Sequence, residues 1–427
     1  MLGVVADDLT GALDAALLLH AGGTAVPVIV GVEPFRRQGR TPPAVILDVD
    51  SRGDPPEAAY RKVREAARAL MDAGYTRFYK KMSSTFQGHI GREVDALLDE
   101  TAATFAIVVP AFPANGRTTR LGYLYVDGVP LAETGVGRHP TSPIIDSYLP
   151  RVLQAQTRRP VHLVDFQTVR RGAAALSEEF QRLSHLGGMA LVDVTTEGEL
   201  EVVAEAAGSL KVTSGGSALA GKLPLPEERV PFAPPLVPAP LLPGCLLLAG
   251  SVSPVTAAQV AFALRTGLPG LRLEVLALLD PDTRDREVER AAAFALGQLR
   301  RGANVLVYTP SEPETQARAR DLGTALGIDP MRVGMIIAEG QAEVAARVVA
   351  QTGLNRLLVA GGDTSSAVCR RLGLEVHRVL EEIQTGIPLS LSAGRQTMVT
   401  VLKSGNFGTE DFFTRAVGRV CSPFLPG

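Results

Sequence analysis

The chain has 427 residues, a formal net charge of −2 and 46% hydrophobic residues. Its length predicts two or three globular domains of ordinary composition, and its charge argues against a broad basic surface for nucleic acid. Three cysteines without CxxC spacing and six histidines without ligand spacing predict neither a disulfide scaffold nor a metal site built by the protein.

The amino-terminal residues do not resemble a secretory signal, because no basic region precedes the apolar stretch and three aspartates lie within it, Asp7, Asp8 and Asp14. No segment approaches the ~18 uninterrupted apolar residues that a membrane helix needs. We therefore expect a cytoplasmic protein with no membrane partner.

Residues 1 to about 220 alternate between short β-branched runs and segments of helical periodicity, which predicts βαβ units and a mainly parallel sheet flanked by helices. The predicted strands are Leu2 to Ala6, Ala25 to Val30, Ala44 to Asp48, Thr76 to Tyr79, Phe105 to Val109, Val161 to Val164 and Met189 to Val192. The predicted helices are Leu9–Ala21, Pro55–Ala73, Ile90–Thr101, Ile144–Gln156 and Thr168–Leu186.

One segment, GYLYVDGVPL at residues 122–131, alternates apolar and polar residues around Asp127-Gly128. Asp-Gly between two such arms predicts a β-hairpin, because glycine tolerates positive φ. A flap over a substrate site and a plain edge ribbon are equally compatible with this pattern.

Residues 223–244 contain eight prolines and no helical or strand period, which predicts an extended, semi-rigid linker. The predicted organisation is an α/β protein with an amino-terminal domain at 1–222, this linker, and a carboxyl-terminal domain at 245–427. We expect the ligand cleft between the two domains.

The second half repeats the α/β alternation. Its predicted strands are Cys245 to Ala249, Leu271 to Val275, Val305 to Tyr308, Gly334 to Ala338, Leu357 to Ala360 and Met398 to Leu402. Its predicted helices are Pro254–Arg265, Arg286–Arg301, Glu314–Leu326, Ala342–Gln351, Thr364–Leu372 and Thr409–Arg419.

Polar side chains follow several predicted strands of the first half. They are Asp7 and Asp8, then Arg52, then Lys80, Lys81, Ser83, Ser84 and Thr85, and finally Asn115, Arg117, Thr118 and Thr119. Each loop alone is ordinary turn chemistry, and either aspartate is also suited to cap the first helix. Together the four loops predict a pocket for a small, anionic, hydroxylated ligand.

Three loops of the second half are suited to phosphate. LLLAGSVSP places Ser251 and Ser253 before a helix that begins with Pro254. LLVAGGDTSS turns at Gly361-Gly362, and we expect Thr364 or Ser365 to cap the next helix, whose free N–H groups favour anions. In VLKSGNFG, Lys403 precedes a glycine-rich loop. Each loop also occurs as a plain strand–helix connection, and neither GxGxxG nor a Walker motif is present.

Six motifs of the chain together resemble the four-carbon acid sugar kinase family. They are ADDLTGALD, KKMSSTFQGHIG, PAFPANGRTTRLGYLYVDGVPLAET, AGSVSPVTAAQ, AGGDTSSAV and LKSGNFG. These motifs run in the family's order from the first strand to residue 413. The resemblance implies a sugar-acid-binding amino-terminal domain, an ATP-binding carboxyl-terminal domain, and transfer of the γ-phosphoryl group to the terminal hydroxyl of threonate, erythronate or 3-oxo-tetronate.

By that resemblance the acid contacts Asp8, Arg52 and the turn Lys81, Met82, Ser83 and Ser84, while ATP contacts Ser251 or Ser253, Gly361, Gly362, Asp363, Thr364 and Gly405. To these we add Asn115 and Arg117 on the acid side, and Lys403 and Asn406 on the ATP side. We expect Arg52 and Lys81 to bind the carboxylate, Asp8 to face a hydroxyl as candidate base, and Asp7 to hold the turn. ATP brings Mg²⁺, for which Asp363 is a candidate ligand.

Alternatives remain open at this stage. Many members have Lys-Ile-Asp-Ser-Thr-Leu-Arg-Gly where this chain has KMSSTFQG at residues 81–88. The identity and stereochemistry of the acid therefore stay open. Whether the protein forms a homodimer is open as well. A non-catalytic sugar-acid-binding regulator has no need for GGDTS and LKSGNFG together. A dehydrogenase of the same acids needs a dinucleotide site, which the motifs do not supply.

Overall fold

A computed structural model describes residues 1–20, 26–39, 41–135, 146–225 and 243–421. The chain divides into two compact units, Met1–Phe232 and Ala233–Gly427. Most of the predicted linker lies outside the described residues, as do Ala25 of one predicted strand and residues 144–145 of one predicted helix.

The amino-terminal unit alternates strands and helices in chain order. Its elements are β1 (Leu2–Ala6), α1 (Leu9–His20), β2 (Val28–Val30), α2 (Val32–Arg36), β3 (Ala44–Asp48), α3 (Pro56–Asp72), β4 (Arg77–Lys81), α4 (Ile90–Thr101), β5 (Phe105–Val109), β6 (Arg117–Arg120), β7 (Tyr123–Val126), β8 (Val129–Pro130), α5 (Leu149–Gln154), β9 (Val161–Val164), α6 (Phe166–Val169), α7 (Ala173–Leu186), β10 (Gly188–Val192), α8 (Glu197–Ala206), β11 (Val212–Gly215) and α9 (Ser217–Lys222).

The main sheet of this unit is parallel, in the order β2-β3-β1-β4-β11-β5-β10-β9. Strands β3 and β4 flank β1 on opposite sides, so the chain reverses its direction of winding there. Such a switch point leaves a crevice at the carboxyl ends of the strands, where α/β proteins bind ligands. The strands are apolar runs because helices cover both faces of a parallel sheet.

The carboxyl-terminal unit has a second sheet. Its elements are β12 (Leu246–Ala249), α10 (Pro254–Arg265), β13 (Gly270–Arg272), α11 (Val275–Leu279), α12 (Pro281–Leu299), β14 (Val305–Tyr308), α13 (Pro313–Ala325), α14 (Pro330–Thr352), β15 (Arg356–Ala360), α15 (Gly362–Leu372), β16 (Leu374–Gln384), β17 (Ile387–Gly394), β18 (Thr397–Lys403) and α16 (Phe412–Cys421).

Within this unit the order is β13-β14-β12-β15-β18-β17-β16, parallel as far as β18 and antiparallel beyond it. Strand β12 has β14 and β15 on opposite sides, which makes a second switch point. A core of apolar side chains from this sheet packs against α10 and α16. The predicted α/β class with mainly parallel sheets is therefore confirmed.

The hairpin prediction is confirmed at its turn, where Asp127 and Gly128 have φ of 50° and 80°. This is the left-handed pair that a two-residue hairpin requires. The arms β7 and β8 are joined by β6 in a separate three-stranded antiparallel sheet, which the prediction did not include.

Several predicted elements are wrong. Gly334 to Ala338 is not a strand but part of α14, which Asp329 caps by accepting from the Met331 N–H at 2.8 Å. Thr168–Leu186 is two helices, broken at Gly172 with φ of 94°. The long ribbon β16–β17 and the strand β11 were not predicted.

Candidate functional site

Three strand ends meet beside the switch point of the amino-terminal unit. Ala6 at the end of β1 lies opposite Asp48 of β3 and Lys81 of β4. Asp7 and Asp8 therefore emerge between the other two chain segments. The sequence prediction ended β4 at Tyr79, but the strand continues to Lys81, so both lysines belong to the strand and not to the turn.

Arg52 binds both aspartates. Its Nε and Nη2 donate to the Asp7 carboxylate at 2.8 and 3.0 Å, and Nη2 also donates to Asp8 Oδ1 at 2.6 Å. Burial raises the pKa of Asp7, but the charges of Arg52, Lys80 and Lys81 and the Arg52 hydrogen bond outweigh it and lower that pKa to about 2. Asp7 is thus ionised at neutral pH and fixes Arg52.

Asp8 caps helix α1. Its Oδ1 accepts from the Gly11 N–H at 3.1 Å, and its Oδ2 accepts from the Thr10 hydroxyl at 2.6 Å. This is the usual geometry of an N-cap aspartate. Of the two aspartates that were candidates to cap the first helix, Asp8 is therefore the cap. Asp7 instead holds the turn through Arg52.

Lys81 shares this space with Asp8. A methyl group built on Gly11 would lie 2.4 Å from Asp8 Oδ1 and 2.6 Å from Lys81 Nζ, so the carboxylate and the ammonium converge over a residue that has no side chain. Burial lowers the pKa of Lys81, and the charges of Asp7 and Asp8 oppose that shift. Lys81 Nζ also donates to the Met82 carbonyl at 2.8 Å.

Lys80 has a different role from its neighbour. It is fully buried, pairs with Glu93 of α4 at 3.2 Å and donates to the Lys81 carbonyl at 2.8 Å. The Ser51 hydroxyl donates to the same glutamate. Because adjacent strand residues face opposite sides of a sheet, Lys80 braces β4 against α4 and only Lys81 reaches the cluster.

In the turn after Lys81, the side chains of Met82 and Ser83 are engaged within the unit. Met82 is buried, and its sulfur accepts from the Ser214 hydroxyl at 3.5 Å. Ser83 and Thr85 share a hydrogen bond at 3.0 Å. Ser84 is half-buried.

Arg117 lies at the start of β6 and is 8% exposed. It donates to the Asn115 carbonyl, while its Nε has no partner. Burial lowers the pKa of Arg117, and the charges of Asp127 and Asp14 oppose that shift. A buried guanidinium with a donor to spare is suited to an anionic or hydroxylated ligand.

Two buried acids of this region were missed by the sequence analysis as site residues. Asp14 acts electrostatically on Lys81 and Arg117. Asp48 is 1% exposed and its Oδ2 has no partner. Burial, together with the charges of Asp50 and Asp8, raises its pKa. The signal for Asp48 was the same as for Asp7, an aspartate at the end of an apolar strand.

Three further strand ends meet at the switch point of the carboxyl-terminal unit. Ala249 of β12 lies opposite Ala360 of β15, and Ala360 lies opposite Lys403 of β18. Gly361 has a φ of 134°, and its N–H donates to the Lys403 carbonyl at 2.9 Å. Only glycine adopts this φ without strain.

Helix α15 begins directly at Gly362, with Gly361 as an N-cap that makes no side-chain hydrogen bond. The prediction that Thr364 or Ser365 caps this helix is wrong. Both lie inside its first turn, and the Ser365 hydroxyl donates back to the Gly361 carbonyl at 2.7 Å. The N-cap glycine therefore supplies no side-chain acceptor to the first N–H groups of the helix, which favours an anion there. Asp363 is exposed beside them.

The loop after β18 packs against the turn after β12. The Gly405 carbonyl accepts from the Ser253 hydroxyl at 2.7 Å and the Thr256 hydroxyl at 2.8 Å. A methyl group on Gly405 would lie 2.1 Å from Ser251 Oγ. Asn406, next in the loop, is exposed.

Lys403 stabilises this loop by hydrogen bonds to its backbone carbonyls. Its Nζ is buried and donates to the Ser404 carbonyl at 3.0 Å, the Gly405 carbonyl at 3.3 Å and the Thr256 hydroxyl at 3.2 Å. Burial lowers the pKa of Lys403 to about 7. Lys403 is therefore a buried lysine whose ammonium shapes the backbone around it.

Two glutamines were missed as supports of these turns. Gln259 of α10 donates to the Phe407 and Thr409 carbonyls at 3.0 and 3.1 Å. Gln341 of α14 donates to the Ala249 carbonyl at 3.2 Å, and its Oε1 has no partner. In the sequence, the feature that could have identified both residues is a glutamine among the apolar residues of a predicted helix.

No group of three or more histidine, cysteine, aspartate or glutamate side chains among the described residues is arranged to hold a metal. In the same part of the chain, no helix is both long and apolar enough to cross a membrane.

Two family models match the chain, a sugar-binding N-terminal domain at residues 2–223 and a nucleotide-binding C-terminal domain at 246–413. The chain is 39% identical to a 3-oxo-tetronate kinase of Methylobacterium radiotolerans, over 97% of this chain and 98% of that protein. It is 35% identical to a 3-oxo-tetronate kinase of Pseudomonas fluorescens, over 98% and 97%.

Solved structures agree with this relationship. A Salmonella typhimurium protein matches with a TM-score of 0.77 and 32% identity, over 97% of this chain and 98% of that one. A Haemophilus influenzae protein matches with a TM-score of 0.70 and 31% identity, over 98% of this chain and 100% of that one. The chain belongs to the four-carbon acid sugar kinase family.

Proposed function

We propose that this protein transfers the γ-phosphoryl group of ATP to the terminal hydroxyl of a four-carbon sugar acid, and that the acid is of the 3-oxo-tetronate type. The observation that carries the proposal is that one chain holds both parts such a transfer needs. A buried cluster of carboxylates and cations lies at one switch point, and a glycine-lined, uncapped helix start lies at the other. The family and the names of the relatives support the reaction and the acid class.

In this proposal residues 1–222 bind the acid. Lys81 and Arg52 attract the carboxylate of the substrate, and Arg117 supplies a further donor. Arg52 is held by Asp7, so its position is set before the acid arrives. Preset charges stabilise a bound anion without the cost of reorganising the site.

Asp8 faces the substrate hydroxyl and accepts its proton. Its carboxylate is oriented by the Gly11 N–H and the Thr10 hydroxyl, which leaves little freedom for the side chain to turn away. Orientation of this kind makes proton transfer efficient, because a general base must lie within hydrogen-bond reach of the proton it takes.

Residues 245–427 bind ATP, and residues 223–244 join the two domains. The phosphates lie against the N–H groups of Gly362 and Thr364 and against the loop from Gly405 to Asn406. Gly361 lets the backbone turn there, and its own N–H stays bonded to the Lys403 carbonyl. Ser251 and Ser253 complete the turn. Lys403 acts through the backbone, because its ammonium holds the Gly405 carbonyl in place.

We propose that Mg²⁺ enters bound to ATP. Asp363 is exposed beside the glycine turn, and a single carboxylate together with phosphate oxygens is the donor set that Mg²⁺ commonly takes in kinases. When bound, the ion neutralises charge on the transferring phosphoryl group. We propose that Asp363 holds it, directly or through water.

A coupled ADP-release assay with Mg-ATP tests this function. The acids to compare are 3-oxo-tetronate, threonate and erythronate, each stereoisomer separately. We expect 3-oxo-tetronate to give the highest kcat/KM. Turnover of threonate or erythronate alone would overturn the acid assignment, and no ADP from any acid despite ATP binding would favour a non-catalytic binding protein. Gel filtration with light scattering tests the homodimer that we propose as the assembly.

A further inference from the structure

A second polar cavity lies in the amino-terminal unit, apart from the cluster at the end of β1. It has a volume of about 420 Å³ and is lined by Thr118, Arg120, Tyr125, Phe166, Arg170 and Thr195. That volume is in the range of small-molecule sites, which is about 300–1,000 Å³. None of these residues has a role in the proposed transfer.

One wall of the cavity is the small antiparallel sheet. Thr118 and Arg120 are two residues apart on β6 and therefore share a face, whereas Arg117 belongs to the opposite face. Tyr125 of β7 lies directly opposite Thr118 in the register. One short strand thus presents Arg117 on one face and this cavity on the other.

The Phe166 ring, on the other wall, contacts two arginines of the lining, Arg120 of the small sheet and Arg170. The guanidinium carbons of Arg120 and Arg170 lie 5.1 and 4.8 Å from the centre of the Phe166 ring. Cation–π contact at such distances offsets part of the mutual repulsion of two cations. The ring therefore holds two guanidinium groups beside one cavity.

The positive charges of the two arginines in the cavity lining are not fully balanced by acidic side chains. Arg170 pairs with Glu199 at 2.7 Å, and the Thr195 hydroxyl donates to the same carboxylate at 2.7 Å. Within the described ranges, Arg120 makes neither an ion pair nor a side-chain hydrogen bond, and its guanidinium packs on the Phe166 ring. The cavity lining therefore carries an excess positive charge.

The cavity is separated from the acid cluster along the sheet. Thr195 follows β10 and Phe166 follows β9, which are the fourth and fifth strands from β1 in the order of the sheet. At about 4.8 Å between neighbouring strands, the separation is roughly 19 Å or more. A four-carbon acid held by Asp8 and Lys81 cannot reach Thr195 or Phe166 over that distance. At β6, where Arg117 and Thr118 are neighbours, the two sites lie on opposite faces of the strand.

We propose that this cavity is a second ligand site, which binds the phosphate group of a small phosphate monoester. Arginine forks match the oxygens of a phosphate, and the hydroxyls of Thr118 and Tyr125 supply neutral donors. A phosphate offers several charged oxygens to two guanidinium groups, whereas a carboxylate offers two. The assignment does not depend on the kinase reaction.

Calorimetric titration of the full chain with glycerol 3-phosphate tests the proposal. The protein is first saturated with a non-hydrolysable ATP analogue, so that the glycine turns of the other unit are not available to the probe. Arg120→Ala is compared with Arg182→Ala, which removes an exposed arginine of α7 that pairs with Glu179 and does not line the cavity. Arg120→Lys keeps the charge and removes the fork, and thermal melting checks that each variant is folded.

We expect one binding event in the wild type, at least about tenfold weaker in Arg120→Ala, partly restored in Arg120→Lys and unchanged in Arg182→Ala. ADP release without added phosphate ester is expected to be unchanged in Arg120→Ala. Equal affinity of Arg120→Ala and wild type for glycerol 3-phosphate would overturn the assignment of the cavity as its binding site. Loss of glycerol 3-phosphate binding in Arg52→Ala instead would also overturn it. Glycerate has a carboxylate and no phosphate, and it also suits the acid cluster. Glycerate binding as tight as that of the phosphate ester, lost in Arg120→Ala and kept in Arg52→Ala, would overturn the phosphate assignment.

Discussion

Gly11 offers a selective way to perturb the acid cluster. In Gly11→Ala the new methyl group would lie 2.4 Å from Asp8 Oδ1 and 2.6 Å from Lys81 Nζ, so each atom must retreat by about 1 Å to reach ordinary contact at 3.4 Å. Misplacement on that scale typically costs ~10²-fold in rate. The helix itself gains about 1 kcal/mol from the glycine-to-alanine exchange.

We therefore expect Gly11→Ala to fold with unchanged or slightly altered stability and to lose about 10²-fold in kcat/KM for the acid. KM for ATP should be unaffected. The assay is ADP release at varied acid and at varied ATP, with urea unfolding alongside. Gly198→Ala is the matched control, because it also lies in the first turn of a helix of the same unit and its methyl group meets open space.

Retention of kcat/KM for the acid within about twofold of wild type in a folded Gly11→Ala protein would refute the assignment of Asp8 and Lys81 to the acid. A rise in KM for ATP with no effect on the acid would refute the division of labour between the two units.

Three other predictions follow from named contacts. Asp8→Asn keeps the helix cap, since asparagine caps as well as aspartate. It should lower kcat by ~10²-fold or more in the ADP assay, and activity within a few-fold of wild type would exclude Asp8 as the base. Gly405→Ala, whose methyl group would lie 2.1 Å from Ser251 Oγ, should raise KM for ATP at least about tenfold, while Gly297→Ala, which meets open space, should not. Asp7 has its pKa lowered from 3.8 to about 2, so it stabilises the fold above pH 4, and about 2 kcal/mol of that stability should be lost between pH 4 and 2. Urea unfolding measures this loss, and an equally steep loss in Asp7→Asn would contradict it.

The sequence predicted where the polar loops lie, because apolar strands and the turns that follow them are local features. The Asp127-Gly128 turn and the Ser253-Pro254 helix start were predictable for the same reason. The Ser253 hydroxyl does accept from the Thr256 N–H at 3.2 Å, as a cap should.

Tertiary contacts explain what the sequence did not predict. Lys80 and Lys81 are equivalent in the sequence, and only the packing of Glu93 on one face of β4 separates a structural lysine from a site lysine. Asp7 and Asp8 are likewise equivalent in the sequence, but Asp8 caps helix α1, whereas Asp7 is bound by both Nε and Nη2 of Arg52, which is 45 positions away. Long-range partners of this kind leave no local pattern in a single sequence.

The most direct test of the central claim is identification of the product. The full chain is incubated with Mg-ATP and 3-oxo-tetronate, and phosphorus NMR is recorded together with the amount of ADP formed. We predict one phosphate monoester, on the terminal carbon of the acid, for each ADP released. ADP that appears with inorganic phosphate alone, or a phosphorylated carboxylate in place of the terminal ester, would contradict it.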